Sequence, residues 1–240
     1  MDTHLPAARP DERFTDDGQR VREVVSFARR GSRLTDRQQR AWDAHSAAWV
    51  ISDDEAVHGL DLEARFGRSA PLAIEIGSGI GEATAVLAAS RPDMNVLAFE
   101  VWRPGVAQTL ERAADLGLTN LRLVSIDAAW AFSNVIAPAS IAELWTFYPD
   151  PWHKKRHHKR RLIDDRFAAV VASRLQEGAL WRLATDWADY AHQIEDVLGR
   201  NRNLQGGPVE RWDERPSTRF ERRGTAAGRD FHDFTYRRVD

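Results

Sequence analysis

The sequence contains no cysteine among its 240 residues. This absence excludes disulfide bonds, cysteine-ligated zinc, cysteine-held iron–sulfur clusters and thiolate nucleophiles. It also excludes methylation at C5 of a pyrimidine, which requires a cysteine adduct to activate the ring. A chain without cysteine suits a reducing compartment, and we expect a cytoplasmic protein.

Two further absences concern membranes and charge. No apolar run reaches the roughly eighteen residues of a membrane span, and residues 1–10 lack the apolar core of a secretory signal, so we expect neither. The chain has no overall excess of either charge, with 34 lysines and arginines against 36 aspartates and glutamates. Any dense cluster of basic residues is therefore a local feature.

The length and the 42% hydrophobic content predict one α/β domain with an N-terminal extension. We expect residues 1–20 to form a mobile tail, residues 21–70 a helical or irregular extension, and residues 71–240 the main domain. Apolar strand-like runs alternate with helix-like segments from residue 71 onward, which predicts a parallel sheet. The predicted strands are Leu72–Ile76, Val96–Glu100, Leu121–Ser125, Leu144–Tyr148 and Leu180–Thr185.

Helical spacing predicts four helices between and after these strands, at Glu82–Ser90, Pro104–Leu116, Leu162–Leu175 and Ala188–Gly199. Gly117 and Gly178 are interpreted as stop signals for helices. Two short segments near the C terminus, at residues 209–212 and 231–236, predict an antiparallel hairpin, separated by a polar loop over residues 213–230. The predicted fold is a Rossmann-like, doubly wound, mostly parallel sheet of seven strands.

A glycine loop follows the first predicted strand, with Gly77, Gly79 and Gly81 in the pattern G-x-G-x-G. Glycines at this turn let the backbone approach a nucleoside-bearing ligand. The dinucleotide fingerprint would place its third glycine at position 82, which is Glu82. A carboxylate in the first helical turn repels a pyrophosphate, which disfavours NAD and FAD, and the absence of G-K-[ST] disfavours a nucleotide triphosphatase.

Acidic residues lie at successive strand ends around this loop. Glu75 lies within the first strand, Glu100 ends the second, and Asp127 follows the third. Acids suit a cationic cofactor without phosphates, and S-adenosylmethionine carries a sulfonium, an ammonium and a ribose diol. Glu100 is expected to accept from the ribose hydroxyls, Asp127 to contact the adenine and Glu75 to favour the cationic end. For each acid alone, a capping or solvated carboxylate is the alternative.

A basic segment follows the fourth predicted strand. Residues 150–161 (DPWHKKRHHKRR) contain six lysines and arginines and three histidines. This density at a strand end predicts a polyanionic substrate, while a solvated basic loop is the alternative. The histidines lack carboxylates at metal-binding spacing, so we expect no metal.

Five sequence blocks closely resemble the bacterial tRNA (guanine-N7-)-methyltransferase family. They are residues 75–82 (EIGSGIGE) with Phe99-Glu100-Val101, residues 148–161 (YPDPWHKKRHHKRR), residues 184–187 (ATDW) and residues 215–221 (RPSTRFE). The resemblance covers roughly residues 70–238 and implies a class I methyltransferase that uses S-adenosylmethionine and releases S-adenosylhomocysteine. It further implies methylation of guanine 46 in the tRNA variable loop, forming 7-methylguanosine.

The resemblance also implies roles for individual residues. Its cofactor-binding positions correspond to Glu75, Glu100, Asp127 and Asp150, to which the glycines Gly77, Gly79 and Gly81 are added, and Asp150 is also the implied active-site residue. The implied substrate- and tRNA-binding residues are Lys154, Arg156, Lys159, Arg160, Arg161, Asp186, Thr218, Arg219, Phe220 and Glu221. The chain departs from the family pattern at Ser78, Ile80, Tyr148 and Arg219.

Chemistry supports this assignment. Guanine N7 has an in-plane lone pair, so methylation needs alignment and no covalent intermediate. Positive charge then spreads into the purine, which a carboxylate at Asp150 or Asp186 can stabilise, and Tyr148 or Trp152 can stack on the base. For Trp152, a lid over the strand end is the alternative.

Two other functions remain open from the sequence. Asp150-Pro151-Trp152 is similar to the D-P-P-aromatic motif of methyltransferases that act on exocyclic amines such as adenine N6, although the second proline is missing. A noncatalytic RNA-binding protein on the same fold is the other alternative, and the intact acids argue against it.

Overall fold

The computed structural model describes residues 26–27 and 31–240. The tail expected over residues 1–20 lies outside the described residues. The described part of the N-terminal extension is largely helical.

A single mixed sheet of eight strands forms the centre, in the order β1-β4-β3-β2-β5-β6-β8-β7. Strands β1 to β6 pair in parallel, and β8 is antiparallel to both β6 and β7. The predicted mostly parallel sheet with a C-terminal antiparallel hairpin is therefore confirmed, and the extension adds a two-residue strand, β1, at one edge. The strands are β1 (Val50–Ile51), β2 (Leu72–Ile76), β3 (Asn95–Phe99), β4 (Leu121–Val124), β5 (Ile141–Phe147), β6 (Leu175–Thr185), β7 (Leu204–Val209) and β8 (His232–Arg238).

The chain reverses its direction of winding between β2 and β5. From β2 the sheet grows outward through β3 to β4, and the chain then returns to pair β5 with the other side of β2. Ligands of open α/β sheets bind at such a switch point, beyond the carboxyl ends of the strands. The loops after β2, β3, β4, β5 and β6 all open at this edge, which positions the candidate site.

Nine α-helices surround the sheet in the described residues, and one 3₁₀ helix follows β5. They are α1 (Asp36–Trp49), α2 (Asp53–His58), α3 (Leu62–Phe66), α4 (Glu82–Ser90), α5 (Arg103–Asp115), α6 (Ala128–Asn134), α7 (Asp165–Arg174), α8 (Ala188–Gly199) and α9 (Arg219–Ala226), with the 3₁₀ helix at Lys155–Arg160. The bounds predicted for α4 and α8 are confirmed. None of the described helices has the length and apolar content needed to cross a bilayer.

Four predictions about individual elements are wrong. The first strand of the hairpin, predicted at residues 209–212, is β7 at Leu204–Val209, so only Val209 is shared. The predicted helix from Leu162 begins only after Asp164, whose side chain accepts from the Phe167 N–H and caps α7. Gly178 does not stop a helix, because it lies within β6, where its left-handed φ of 76° coincides with a register shift. The loop expected over residues 213–230 contains α9, an eight-residue helix rich in arginine.

The hydrophobic core occupies both faces of the sheet. One cluster contains Trp181, Phe132 and Ile194, and the other contains Trp145 and Leu110. These faces hold the strands rigidly, so the loops at the carboxyl edge are presented by a fixed scaffold.

Candidate active site

The glycine loop after β2 requires its glycines. Gly77, Gly79 and Gly81 have φ values of 81°, 59° and 73°, in the left-handed region where a Cβ is strained. A Cβ on Gly81 would overlap the Thr109 side chain, whereas a Cβ on Gly77 or Gly79 would meet open space. The loop is therefore packed against α5 on one side and has room for a ligand on the other.

Glu100 joins the glycine loop to the end of β3. Its Oε2 accepts from the Gly79 N–H at 2.6 Å, and its Oε1 accepts from the Trp102 N–H at 2.8 Å. The carboxylate is therefore oriented by two backbone donors beside the loop.

Glu75 is an acid inside the sheet. Its side chain is buried, and its Oε2 accepts from the Thr84 hydroxyl at 2.5 Å. Burial raises the pKa of Glu75 to about 7, the Thr84 hydrogen bond opposes this, and the charge of Glu100 raises the pKa further. A cation at this position would relieve the cost of two neighbouring carboxylates.

Asp127 is the N-cap of α6. Its Oδ1 accepts from the N–H groups of Ala129 and Trp130, at 2.7 and 3.2 Å, and burial raises its pKa against those two hydrogen bonds. Oδ1 of Asp127 therefore caps a helix, which was the alternative to ligand binding for this acid. Oδ2 has no hydrogen bond among the described residues and can still accept from a ligand.

Two buried hydroxyls at this edge have no hydrogen-bond partner in the described part of the chain. They belong to Ser78, between the first two loop glycines, and to Ser125, immediately after β4. Buried polar atoms without partners are unusual and commonly mark a ligand or ordered water. Together with the acids and the open side of the loop, they fit a cationic nucleoside cofactor.

The loop after β5 is held between two strained aromatic residues. Tyr148 and Trp152 have φ values of 54° and 47°, and this left-handed conformation is rare for bulky side chains. Asp150, half-buried and in contact with neighbouring groups, lies between them. Backbone strain of this kind costs about 1–3 kcal/mol per residue and concentrates at functional sites.

A buried ionic network holds Tyr148. Arg215, 1% exposed, donates from Nη1 to the Tyr148 phenolic oxygen and from Nη2 to both oxygens of Asp233 at 2.9 Å. Glu221 lies 3.3 Å from Arg215 and pairs with Arg211 at 2.8 Å. Burial tends to raise the pKa of Glu221, but the two arginines outweigh it and the pKa lies below its usual value.

The role in substrate binding that the resemblance implies for Glu221 stays a prediction, and the structure shows a further role for its side chain. Its side chain is buried and its oxygens are occupied by Arg211 and Arg215, so it stabilises the loop that carries Tyr148. The neighbouring Phe220 is 44% exposed and packs against Tyr148, with ring centroids 4.8 Å apart.

Trp152 is enclosed. Its indole N–H donates to the Ser26 carbonyl at 3.0 Å, and Arg160 stacks 4.8 Å from the centre of its ring. These contacts are compatible with a lid over the strand end, and base stacking by Trp152 stays an alternative. The Gly31 carbonyl accepts from the Trp102 indole N–H at 2.9 Å. The N-terminal extension therefore contacts the same edge of the sheet at Ser26 and at Gly31.

Asp186 follows β6 at the carboxyl edge. Its side chain is 12% exposed, and its Oδ2 accepts from Arg229 at 2.6 Å. The adjacent Trp187 is 37% exposed and contacts His153 edge-on, at 4.1 Å between ring centroids. A carboxylate and exposed aromatic rings therefore lie together beside the loop of Asp150.

Most of the basic segment faces solvent. Lys154, Arg156 and Lys159 are exposed, as contact with RNA phosphates would need. Arg161 is an exception, and its implied contact with tRNA stays a prediction. It is 4% exposed, donates to Asp189 at 2.5 Å and to Gln193 at 2.8 Å, and therefore fixes the segment to α8.

The segment 218–221 begins α9. Thr218 caps the helix by accepting from the Glu221 N–H, and the backbone N–H of Arg219 donates to Glu82 Oε2 at 2.5 Å. The acid that the sequence placed in the first turn of α4 thus connects the glycine loop to α9. The Arg219 side chain is exposed.

The site depends on residues that sequence reasoning missed. Arg211, Arg229 and Asp233 had no motif signal, because their importance arises from partners that are distant in sequence. Arg215 was noted only as the first residue of a matching block, and its burial is not visible from its type.

Comparison with known proteins agrees with this geometry. The family model described as "Putative methyltransferase" matches residues 69–234. The chain is 57% identical to a tRNA (guanine-N(7)-)-methyltransferase of Nocardioides sp. over 99% of this chain and 98% of that protein. It is 46% identical to a protein of the same name from Cutibacterium acnes, over 93% of this chain and 86% of the other.

Solved structures with low identity share the fold. The 16S rRNA methyltransferase KamB has a TM-score of 0.57 at 16% identity and covers 76% of this chain and 95% of its own. A 16S rRNA (adenine(1408)-N(1))-methyltransferase from Catenulisporales acidiphilia has a TM-score of 0.55 at 18% identity, with 75% and 91% coverage.

The sheet order, the glycine loop and the acids at successive strand ends define a class I, Rossmann-like methyltransferase. Within that class, the identity and coverage of the full-length relatives decide the family. The chain belongs to the bacterial tRNA (guanine-N7-)-methyltransferases.

Proposed function

We propose that this enzyme methylates N7 of a guanine in tRNA, at position 46 of the variable loop, with S-adenosylmethionine as the donor. The observation that carries the proposal is the placement of cofactor-type acids, Asp150, Asp186 and an exposed cationic segment around one switch point. The similarity to enzymes of that name over nearly the whole chain supports the choice of substrate.

The acids would hold the cofactor. Glu100, oriented by two backbone donors, faces the open side of the glycine loop and suits the ribose diol. Asp127 Oδ2 suits the adenine amine, and Glu75 stabilises a positive charge electrostatically. When bound, the cofactor supplies an electrophilic methyl group on a sulfonium.

Asp150 is the proposed catalytic residue. Its loop is fixed by the strained Tyr148 and Trp152, so its carboxylate is preorganised and needs little rearrangement. As N7 is alkylated, the purine becomes cationic and its N1–H more acidic, and a fixed carboxylate stabilises both changes.

Asp186, Thr218, Arg219 and Phe220 are proposed to bind the base and its nucleotide, and Lys154, Arg156, Lys159 and Arg160 the RNA backbone. Tyr148 and Phe220 form the aromatic wall of the base pocket. No metal is part of the proposal, and the cytoplasm is its expected location.

The proposal is tested with purified protein, labelled S-adenosylmethionine and bulk tRNA. We expect 7-methylguanosine, detected as strand scission after borohydride and aniline treatment, and no dependence on added metal. N6-methyladenosine instead would favour the exocyclic-amine alternative. Tight tRNA binding without label transfer would favour the noncatalytic one.

A further inference from the structure

Arg229 pairs with Asp186 close to an exposed aromatic ring. Its Nη1 donates to Asp186 Oδ2 at 2.6 Å, and its guanidinium carbon is 5.9 Å from the centre of the Phe220 ring. The charged end of this side chain is thus placed between a carboxylate and an exposed aromatic ring.

Guanine presents the same chemistry along its Watson–Crick edge. Its N1–H and exocyclic amine are neighbouring donors on a planar C–N framework, and a carboxylate accepts from both. The flat face of guanine stacks on aromatic rings, as a guanidinium does. The guanidinium of Arg229 and the guanine base are therefore alike, since each is a planar donor that can pair with a carboxylate beside an aromatic ring.

We propose that Arg229 is an internal stand-in for the substrate guanine, which must displace it from Asp186 before methylation. This inference rests on the proposed function, because it assumes that Asp186 binds the guanine. It adds the location of the Watson–Crick edge, between Asp186 and Phe220, and a residue that competes for that location.

Exposure is consistent with such an exchange. The Arg229 side chain is 50% exposed and lies after the end of α9, whereas Asp186 is 12% exposed at the end of a central strand. The arginine can move into solvent while the carboxylate stays in place. By contrast, the 1% exposed Arg215 is enclosed by its partners.

The stand-in also keeps Asp186 paired between turnovers. A largely buried carboxylate without a partner is costly, and a displaceable cation removes that cost in the absence of RNA. Adenine offers an acceptor at N1 where guanine offers a donor, so it displaces Arg229 less well. The exchange therefore contributes to selection of guanine.

The test is inhibition of tRNA methylation by free guanosine. In Arg229→Ala the competitor is absent, so the inhibition constant for guanosine should fall about two- to fivefold, the range expected for a partly exposed ion pair. Arg223→Ala is the matched control, because Arg223 is an exposed arginine of α9 with no contact to Asp186 in the structure. It should leave the constant unchanged, and adenosine should gain nothing in either variant.

A second measurement uses guanidinium ion at low millimolar concentration. It should inhibit Arg229→Ala more than the wild type, because it can occupy the vacated place at Asp186. Equal guanosine constants in wild type and Arg229→Ala, including no inhibition of either, would overturn the proposal. Wild-type formation of 7-methylguanosine in the same assay would then leave the proposed function standing, whereas its absence would remove both.

Discussion

Arg215 donates a hydrogen bond to the phenolic oxygen of Tyr148 from a position that is almost completely buried. Tyr148 begins the strained loop that carries Asp150, so the loop is connected through Arg215 to Asp233 on β8. The geometry of the proposed catalytic carboxylate thus depends on a strand of the C-terminal hairpin.

Replacement of this arginine should destabilise the protein. Arg215→Met leaves Asp233 without its partner in a buried environment, and breaking a buried pair in this way costs about 3–5 kcal/mol. Urea unfolding measures the change. Arg237→Met is the control, because Arg237 is exposed and donates to the Gly178 carbonyl, and its effect should stay within about 0.5 kcal/mol.

The milder Arg215→Lys tests positioning. Lysine keeps the charge but cannot bond Tyr148 and both oxygens of Asp233 together. We expect a lower kcat with near-normal binding of S-adenosylhomocysteine. A variant that folds and retains the wild-type kcat would contradict the connection between Arg215 and Asp150.

Asp150→Asn should abolish most turnover while tRNA binding is retained. The substitution preserves shape and removes the negative charge that stabilises the alkylated purine, and loss of such a fixed group typically costs about 10²- to 10³-fold in kcat. Asp93→Asn is the control, since Asp93 is exposed in the turn before β3, at the opposite edge of the sheet. Wild-type turnover by Asp150→Asn would remove the catalytic assignment.

Glu75 predicts an unusual dependence of stability on pH. Its folded pKa of about 7 lies above the ordinary value of 4.5, so between these values the folded state binds more protons than the unfolded state. The free energy of unfolding of the cofactor-free protein therefore falls as the pH rises through this window, by on the order of 3 kcal/mol. Comparison of urea unfolding at several pH values in wild type and Glu75→Gln isolates this contribution.

Glu75→Gln should remove that part of the pH dependence, because the amide can still accept from Thr84 but does not ionise. Glu63→Gln, at an exposed position of α3, should change nothing. A cationic cofactor lowers the cost of ionised Glu75, so affinity for S-adenosylmethionine should rise with pH up to about 7. Parallel stability curves for wild type and Glu75→Gln would show that the acid is not perturbed.

Substitutions in the basic segment should have two different effects, some weakening tRNA binding and others lowering the stability of the protein. Arg156→Ala and Lys159→Ala remove exposed charges, so each should weaken tRNA binding and reduce the slope of log K against log salt by about 1. Arg161→Ala should lower stability instead, because Asp189 and Gln193 lose a buried partner. Binding titrations at several salt concentrations and urea unfolding distinguish the two effects, and a normal salt slope in Arg156→Ala would place the RNA elsewhere.

Gly81→Ala should abolish cofactor binding. The left-handed conformation costs a non-glycine residue roughly 1–2 kcal/mol, and the new Cβ also overlaps Thr109. Gly67→Ala is a matched control, because Gly67 has a similar φ of 68° and open space around it. Calorimetry with S-adenosylhomocysteine should show loss of binding in the first variant alone, and equal binding in both would mean that the loop tolerates displacement of α5.

The sequence predicted the parallel sheet and its glycine loop well, because periodic apolar runs and glycine turns are local signals. It did not predict α9, which is only eight residues long and is stabilised at its start by Thr218 and Glu82. Nor could a run of cations reveal that Arg161 turns inward, since its partners lie on α8. Asp127 illustrates the same limit. An acidic residue after a strand has the same sequence pattern whether its side chain caps a helix or binds a ligand.

Glu82 has a consequence for how the two substrates enter. Its carboxylate accepts from the backbone of Arg219, so the first turn of α4 and the first turn of α9 share one hydrogen bond. Neither helix start can shift by much unless the other follows or the bond breaks. Binding of S-adenosylmethionine should accordingly change the affinity for tRNA, and binding of tRNA should change the affinity for S-adenosylmethionine by the same factor, because the two equilibria are linked.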